Sequence, residues 1–255
     1  MSHAVRARNL RFSYPGGRPV LAGLDLDVAR GERVAIFGPN GAGKTTLMLH
    51  LNGLLRGDGD LHVTGLAVGP ATERALRARV GLVFQDPDDQ LFMPTVAEDV
   101  AFGPLNLGLD RERTQARVHE ALAAVGMEHA AGRAPHQLSM GERRRVAVAT
   151  VLAMRPELLV LDEPSANLDP RARRELLEVL ERLDCTLLVV THDLPFAAEL
   201  CQRAVILAGG CVAADGDCID LLTDSELLAA HDLELPAGFD PARVARRPRK
   251  LAAVA

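Results

Sequence analysis

The sequence is poor in aromatic residues. It contains no tryptophan and one tyrosine, Tyr14, and only 3% of its residues are aromatic. Proteins that bind single-stranded nucleic acids stack the bases on aromatic side chains. A formal net charge of −5 also has the wrong sign for general contact with a phosphate backbone. The composition therefore predicts no nucleic-acid partner.

Long apolar runs are missing as well. The longest candidates lie around Val146–Met154 and Leu187–Val190, well short of the roughly eighteen residues that a membrane-spanning helix needs. The first ten residues, MSHAVRARNL, lack the apolar core of a signal peptide. We therefore expect a cytoplasmic chain, although neither absence excludes a membrane partner.

The cysteines lack the spacing of a metal site or a redox motif. None of the four forms a Cys-x-x-Cys pair, and no histidine nearby is arranged for a metal. Reduced, partly buried thiols are the prediction for such residues in a cytosolic protein. They are Cys185, Cys201, Cys211 and Cys218.

The 255 residues, 48% apolar and 25% charged, have the composition of a globular protein. No internal repeat or long linker divides them, which predicts one compact unit with a small tail. Arg33–Phe37, Leu158–Leu161 and Leu187–Thr191 are apolar runs typical of buried parallel strands. The segment between the last two, Pro170–Leu183, is predicted to be a right-handed crossover helix.

Turn residues and apolar periodicity predict the remaining elements. Short strands separated by turns are expected before Arg33, and helical periodicity begins near Thr95. The other predicted elements are strands Leu61–Val68 and Arg79–Phe84, helices Thr45–Leu55, Arg111–Val125, Gly141–Met154 and Asp220–Ala230, and a hairpin of Ala204–Ala208 with Cys211–Ala214.

A glycine-rich loop follows the first apolar strand. GPNGAGKT, at Gly38–Thr45, matches the pattern G-x-x-x-x-G-K-[ST] between a predicted strand and a predicted helix. Its backbone N–H groups and the helix N-terminus suit phosphate, Lys44 suits the β- and γ-phosphates, and the Thr45 hydroxyl suits Mg²⁺. A chance glycine turn does not explain the flanking elements. The predicted nucleotide-binding residues here are Gly38, Pro39, Asn40, Gly41, Ala42, Gly43, Lys44, Thr45 and Thr46.

Two carboxylates follow the strand Leu158–Leu161. Asp162 is placed to hold Mg²⁺, and Glu163 is placed to polarise an attacking water as a general base. On their own, two solvated carboxylates at a strand end would be the default interpretation. Together with the phosphate loop they predict binding and hydrolysis of a nucleoside triphosphate.

The segment LSMGERRRVAVA, at Leu138–Ala149, adds a Ser-x-Gly turn that opens a helix, which is a further anion-binding geometry. In order along the chain, GPNGAGKTT, LSMGE, LLVLDEP, SANLD and THD resemble the ATP-binding-cassette ATPases, from Val5 to about Ala214. The resemblance implies an α/β fold: a P-loop ATPase core with a mostly parallel sheet, an N-terminal antiparallel β-subdomain and an inserted α-helical subdomain.

We expect an ATPase domain over residues 1–235, with the helical insert at roughly 87–157. Residues 236–255 would form a weakly ordered basic tail, solvated or in contact with anionic lipid.

The resemblance also implies roles for residues around the first nucleotide. Tyr14 would stack on adenine, although a simple turn aromatic is the alternative. Gln85 would sense Mg²⁺ and the γ-phosphate, so that the implied metal ligands are Thr45, Gln85 and Asp162. His192 would contact the γ-phosphate and order the water, whereas a lone histidine after a strand is otherwise more often structural.

A second group of residues is implied to act across a dimer. Members of the family work as head-to-tail pairs, so Ser139 and Gly141 would close on the ATP of the opposite protomer and Asp169 would line the seam. The usual signature is LSGGQ, and Met140 and Glu142 depart from it. Met140 requires a backbone position without positive φ. Glu142 places a negative charge near phosphate unless Arg143 or Arg145 pairs with it, and the Arg143–Arg145 run is expected to be solvated with one member turned inward.

The stretch after Gln85, VFQDPDDQLFMPTVAEDVAFGPLNLGL, resembles ATPases of energy-coupling-factor and cobalt/nickel importers. It implies a groove for helices of integral membrane subunits, and hence a location at the cytoplasmic face of the membrane. Asp86, Asp88 and Asp89 would suit arginines of those helices or form a solvated acidic loop.

DNA-repair cassettes carry a long coiled-coil insertion and translation-factor cassettes carry two tandem copies, and neither feature is present. The partner cassette could be an identical or a related chain. Cobalt or nickel ranks first as cargo, and vitamins second.

Overall fold

A computed structural model describes residues 3–244 of the chain. Its strands are β1 His3–Ser13, β2 Pro19–Ala29, β3 Arg33–Phe37, β4 Asp58–Val63, β5 Leu66–Ala67, β6 Val80–Val83, β7 Leu158–Asp162, β8 Thr186–Val190, β9 Arg203–Ala208 and β10 Cys211–Asp217. Its helices are α1 Lys44–Leu51, α2 Glu73–Arg79, α3 Val96–Asn106, α4 Arg111–Ala124, α5 Met140–Leu152, α6 Pro170–Glu181, α7 Leu194–Leu200, α8 Cys218–Thr223 and α9 Ser225–Ala230.

The strands form two sheets. The first has the order β2-β1-β4-β5 and is antiparallel. The second has the order β10-β9-β3-β8-β7-β6, and all of its pairings are parallel except that of β10 with β9. Helices α3 to α5 lie between β6 and β7 in the chain. The predicted α/β fold, with its antiparallel N-terminal sheet and helical insert, is confirmed.

The six-stranded sheet is covered on both faces. Leu159 and Leu161 of β7 join an apolar cluster with α3 to α7, whereas Leu158 and Val160 of the same strand join a cluster with α1 and the first sheet. Alternate residues of a strand point to opposite faces, so a continuous apolar run is what a doubly covered strand requires. The prediction that these apolar runs form buried parallel strands is therefore confirmed for β3, β7 and β8.

Several predicted boundaries are wrong. The expected short N-terminal strands are two strands of 11 residues each, which bend through register shifts. The predicted strand Leu61–Val68 is a hairpin, because Thr64 and Gly65 take positive φ values of 50° and 82°. Arg79 ends a helix instead of starting a strand.

Two helix predictions also change. The helix after the glycine loop ends at Leu51, and Gly53 turns the chain with φ 76°. The predicted helix Asp220–Ala230 is two short helices, because the Asp224 side chain caps α9 by accepting the N–H of Leu227. From Pro236 to Val244 the predicted tail packs on the core through Phe239 and Val244. The rest of the tail prediction, 245–255, lies outside the described residues.

Within residues 3–244, no helix is long and apolar enough to cross a membrane. All four cysteines are free, and Cys201 and Cys218 are buried, which agrees with the prediction of reduced, partly buried thiols.

Candidate functional site

The site lies at the carboxyl edge of four adjacent parallel strands. In sheet order these are β3, β8, β7 and β6. The glycine loop follows β3, His192 follows β8, Asp162 and Glu163 end β7, and Gln85 follows β6. Parallel strands end at the same edge of a sheet, so residues far apart in the sequence come together there.

The glycine loop has a backbone that only glycine tolerates at two points. Gly38 has φ 139°, and a Cβ atom there would lie 2.1 Å from the carbonyl oxygen of Leu207. Gly43 has φ 99°, and its Cβ would lie 2.8 Å from the carbonyl oxygen of Val20. Gly43 caps α1 without any side-chain acceptor for the first N–H groups of the helix. Those donors and the positive end of the helix dipole are left for an anion.

Lys44 curls back into this loop. Its Nζ donates to the carbonyl oxygens of Gly38 at 2.7 Å and Pro39 at 3.0 Å. Burial lowers the pKa of the Lys44 ammonium, while the carboxylates of Glu163 and Asp162 act in the opposite direction. A half-buried ammonium held by carbonyl dipoles is a favourable partner for a phosphate oxygen.

The acidic side of the site suits a divalent cation. Burial raises the pKa of Asp162, and the charge of Glu163 raises it further. Lys44, a hydrogen bond with the Thr45 side chain, and Arg144 lower it. Two crowded carboxylates next to a hydroxyl match Mg²⁺, which binds through one or two carboxylates, waters and substrate phosphates. The described residues contain no group of three or more His, Cys, Asp or Glu side chains that would form an all-protein cage.

Glu163 is held in one orientation. Its Oε2 accepts from the Thr191 hydroxyl at 3.1 Å and the His192 N–H at 3.2 Å, and it lies 2.8 Å from His192 Nδ1. The Glu163 backbone has φ 45°, an uncommon conformation for a residue with a side chain. Strain of this kind persists where the surroundings fix it, and here they aim a largely buried carboxylate along the edge of the sheet.

Tyr14 and Gln85, the residues expected at adenine and at Mg²⁺, are less constrained. Tyr14 is 44% exposed, and its hydroxyl lies 3.3 Å from the Thr46 hydroxyl of α1. Its ring packs edge-on against Phe12. Tyr14 is therefore next to the glycine loop. The alternative, a simple turn aromatic, also agrees with a ring whose hydroxyl lies close to Thr46. The exposed Gln85 side chain has no hydrogen bond to any residue from 3 to 244, although its backbone oxygen accepts one from Arg144.

The signature residues form a separate group. Ser139 caps α5 and is exposed, and Asp169 caps α6 by accepting from the N–H groups of Arg171 and Ala172. A Cβ on Gly141 would lie 2.6 Å from the Cβ of Ala172, so Gly141 lets the two helices approach. In the described part of the chain, no hydrogen bond or ion pair joins this group to the glycine loop or to Asp162 and Glu163.

Comparison with known proteins agrees with this geometry. Residues 21–166 match the ABC transporter family. An ABC transporter ATP-binding protein of Streptomyces avermitilis is 62% identical over 236 residues, which cover 92% of this chain and 90% of the relative. The chain is an ABC transporter ATPase.

Other similar proteins point to a branch of the family. The energy-coupling factor transporter ATP-binding protein EcfA of Methanothermobacter thermautotrophicus is 45% identical over 92% of this chain and 78% of its own. The structure of cbiO1 from Clostridium perfringens, part of the ABC transporter complex cbiONQ, has a TM-score of 0.81 at 34% identity and covers 92% and 97% of the two chains. A dimeric ATP-binding cassette bound to ADP and phosphate has a TM-score of 0.74 at 27% identity, covering 84% and 98%.

The two departures of this ABC ATPase from LSGGQ have local explanations. Met140 is the first residue of α5 and is not among the positive-φ positions of the described chain, as expected. Glu142 completes a capping box: its Oε2 accepts the Ser139 N–H at 2.8 Å, and its N–H donates to the Ser139 hydroxyl at 3.3 Å. Neither Arg143 nor Arg145 forms an ion pair with Glu142, whose Oε1 lies 3.7 Å from Arg133.

One of the three arginines after Glu142 is turned inward, as predicted, but the other two are ion-paired and little exposed and do not form a solvated face. Arg143 pairs with Asp88 at 2.8 Å, Arg145 pairs with Glu175 of α6, and Arg144 is buried. Nothing in the sequence indicates which arginine is buried or what it binds. Thr191, within the THD motif, and Gln90, within DPDDQLF, were not predicted as site residues.

Proposed function

We propose that this ABC ATPase binds and hydrolyses ATP to power an importer of the energy-coupling-factor type, with cobalt or nickel uptake as its task. The observation that carries the ATPase part is the convergence of Lys44, the Thr45–Asp162 pair and the Glu163–His192 pair at one sheet edge. We assign residues 1–235 to the ATPase domain, with residues 87–157 as its helical insert.

In this proposal the nucleotide lies over the N-terminus of α1. Lys44 exchanges its two carbonyl contacts for β- and γ-phosphate oxygens, and the amides of residues 38–46 hold the remaining oxygens. Thr45 and Asp162, with Gln85, would hold Mg²⁺, which supplies charge neutralisation at the transferred phosphoryl group. Tyr14 stacks on the base.

Glu163 acts as the general base. Its carboxylate is already oriented by Thr191 and His192, so one oxygen remains free to accept a proton from water attacking the γ-phosphate. His192, exposed beside it, positions that water and contacts the phosphate. Catalysis then combines proton abstraction with pre-organised positive charge.

We further propose a head-to-tail dimer. Within residues 3–244, no hydrogen bond or ion pair joins Ser139 or Gly141 to the glycine loop of the same chain. Ser139 is exposed at the N-terminus of α5, a geometry that suits the γ-phosphate of a second cassette. Asp169, at the start of α6, would lie along the same seam. The dimeric cassette with bound ADP and phosphate supports this arrangement.

Membrane subunits would dock beside Gln85, at the cytoplasmic face of the membrane. Phe92 and Phe102 are 62% and 43% exposed and pack edge to face with ring centroids 5.0 Å apart, an apolar surface that an amphipathic helix would cover. Asp88 is paired with Arg143, so Asp86 and Asp89 are the better candidates for partner arginines.

A conservative substitution tests the ATPase assignment. Glu163→Gln removes the base but keeps the size of the side chain, so ATP binding and dimerisation should persist while phosphate release falls by about 10²- to 10⁴-fold. Glu178→Gln, a solvated carboxylate on α6, is the matched control and should turn over normally. Undiminished phosphate release from Glu163→Gln would overturn the role of Glu163.

Cargo requires a separate experiment, because the ATPase does not contact it. The ranking of cobalt or nickel first rests on the resemblance of the segment after Gln85. A vitamin is the alternative because that resemblance includes energy-coupling-factor importers as well as cobalt/nickel importers. Cells that co-express the chain with its neighbouring membrane genes should accumulate labelled cobalt or nickel. Uptake of a labelled vitamin instead would replace the metal proposal, and co-purification with ribosomes or DNA would overturn transport altogether.

A further inference from the structure

Arg144 is a buried cation held by backbone carbonyls. It lies in the second turn of α5, 1% exposed. Its Nη1 donates to the carbonyl oxygens of Phe84 at 3.0 Å and Gln85 at 2.5 Å, and its Nη2 donates to that of Ala166 at 3.3 Å. One side chain thus joins α5, hereafter the signature helix, to the loop that carries Gln85 and to the loop that follows Glu163.

This arrangement is unusual for an arginine so deep in a protein. Buried charges are normally paired with a counter-charge, yet no carboxylate forms an ion pair with Arg144 among residues 3–244. The carboxylates that influence it from a distance are Asp86, Asp162 and Glu163. Only the planar fork of a guanidinium reaches carbonyls on two separate loops at once, and a lysine ammonium does not.

Gln90 binds the other backbone group of Phe84. Its Oε1 accepts the N–H of Phe84 at 3.2 Å, and its Nε2 donates to the carbonyl of Ala147 at 2.8 Å and the hydroxyl of Thr150 at 2.7 Å. Both acceptors belong to α5. Phe84, the residue before Gln85, is therefore tied to α5 through its N–H by Gln90 and through its carbonyl by Arg144.

We propose that Arg144 and Gln90 are positioning residues that bind the Gln85 loop, the signature helix and the loop after Glu163 into one unit. A displacement of the groove beside Gln85 is then transmitted to Ser139 through the backbone of α5 and to the carboxylate side of the site through Ala166. Among residues 3–244, neither side chain forms a hydrogen bond with the glycine loop, Asp162 or Glu163. The inference deepens the proposed function and rests on the roles given there to Gln85 and Ser139.

Arg144→Lys is the first test. It keeps the charge but cannot bridge the loops, so Gln85 should shift within the site. Misplacement of a catalytic group by about 1 Å costs on the order of 100-fold, and we expect kcat for ATP hydrolysis by the full-length chain to fall about 10- to 100-fold. The Kd for ATP should stay within about 3-fold, because Lys44 and the loop amides are untouched.

A double-mutant cycle with Gln85→Ala separates positioning from general damage. If Arg144 acts through Gln85, Arg144→Lys should reduce kcat much less in the Gln85→Ala background than in the wild type. Arg145→Lys is the matched control. It alters another little-exposed arginine of α5, which pairs with Glu175 and contacts neither loop, so its effect should add independently to that of Gln85→Ala.

Gln90→Met gives the same test with less risk to folding, since it replaces a half-buried amide with an apolar side chain of similar length. Its kcat should also fall, with the same dependence on Gln85. If Arg144→Lys does not fold, the cycle is decided by Gln90→Met alone. Additive effects of both variants with Gln85→Ala, or unchanged kcat, would overturn the proposal. A wild type without ATPase activity would instead refute the proposed function.

Discussion

A single carboxylate, that of Glu142, marks the clearest chemical departure in the signature turn. It accepts the Ser139 N–H, and this contact lowers the pKa of Glu142, which is therefore ionised at neutral pH. The donor that it occupies is one that a phosphate from a second cassette would use. The capping box stabilises the start of α5 and, in the proposed dimer, also repels the ligand.

Replacing that charge should favour ATP-driven closure. Glu142→Gln keeps a side chain that can complete the capping box but removes a repulsion of about 1 kcal/mol, the size of a contact between charges in water. We expect the KM for ATP to fall by about 2- to 10-fold. Steady-state hydrolysis against ATP concentration measures it, with the exposed Glu128→Gln as control. A higher KM would show that Glu142 assists binding instead.

Gly141 illustrates how a signature glycine can be fixed by packing. A methyl group there would lie 2.6 Å from the Cβ of Ala172, so Gly141→Ala must push α5 away from α6. Overpacking of this kind costs about 1–3 kcal/mol, which should appear in denaturant unfolding. The double variant Gly141→Ala with Ala172→Gly should recover most of the loss. Full stability of the single variant would show that the helices move apart freely.

At the scale of elements, the sequence predicts best what is decided locally. Strands β3, β7 and β8 appear within one residue of their predicted bounds, because an apolar run covered on both faces has few alternatives. Asp162 and Glu163 were found because they stand at the end of such a strand, and Lys44 because the glycine loop that leads to it follows one directly. Strand β1, with alternating burial and a bend at Asn9 (φ 49°), offers no continuous signal.

Side-chain contacts between elements far apart in the chain could not be predicted from the sequence. The acceptors of Arg144 lie 59, 60 and 22 residues away along the chain, and nothing in the run of three arginines distinguishes the inward one beyond its position on the helix. The pairing of Glu142 with Arg133 was missed for the same reason: the turn before α5 folds back on that helix. Tertiary geometry decides such contacts, and local pattern does not.

Element packing also protects the thiols. Burial raises the pKa of Cys185 to about 11 and that of Cys218 to about 12, and raises the pKa of Cys201 well above its usual value. Because the thiolate is the reactive form, these three groups should react with a thiol reagent at pH 8 far more slowly in the folded protein than after unfolding. Labelling the Cys211→Ser variant measures the reactivity of these three thiols alone. Rapid labelling of the folded variant would contradict this placement.

At the scale of the whole molecule, the proposed division of the nucleotide site between two identical chains makes a sharp prediction. Lys44→Ala removes the ammonium group of the glycine loop, and Ser139→Arg places a large side chain at the N-terminus of α5. Each variant alone should therefore be inactive. In a mixed dimer one composite site contains both lesions and the other contains neither. An equal mixture should therefore recover about a quarter of wild-type turnover, given random pairing in a two-fold symmetric dimer. No recovery would mean that each chain completes its own site.

The position of Tyr14 has a practical consequence. It is the only tyrosine of a chain without tryptophan, and its hydroxyl lies 3.3 Å from Thr46, next to the phosphate loop. The intrinsic ultraviolet fluorescence of the protein therefore comes almost entirely from one ring beside the glycine loop, at the proposed nucleotide site. A purine stacked on that ring would quench the emission, so that the unlabelled wild-type chain carries its own optical reporter of nucleotide arrival and departure.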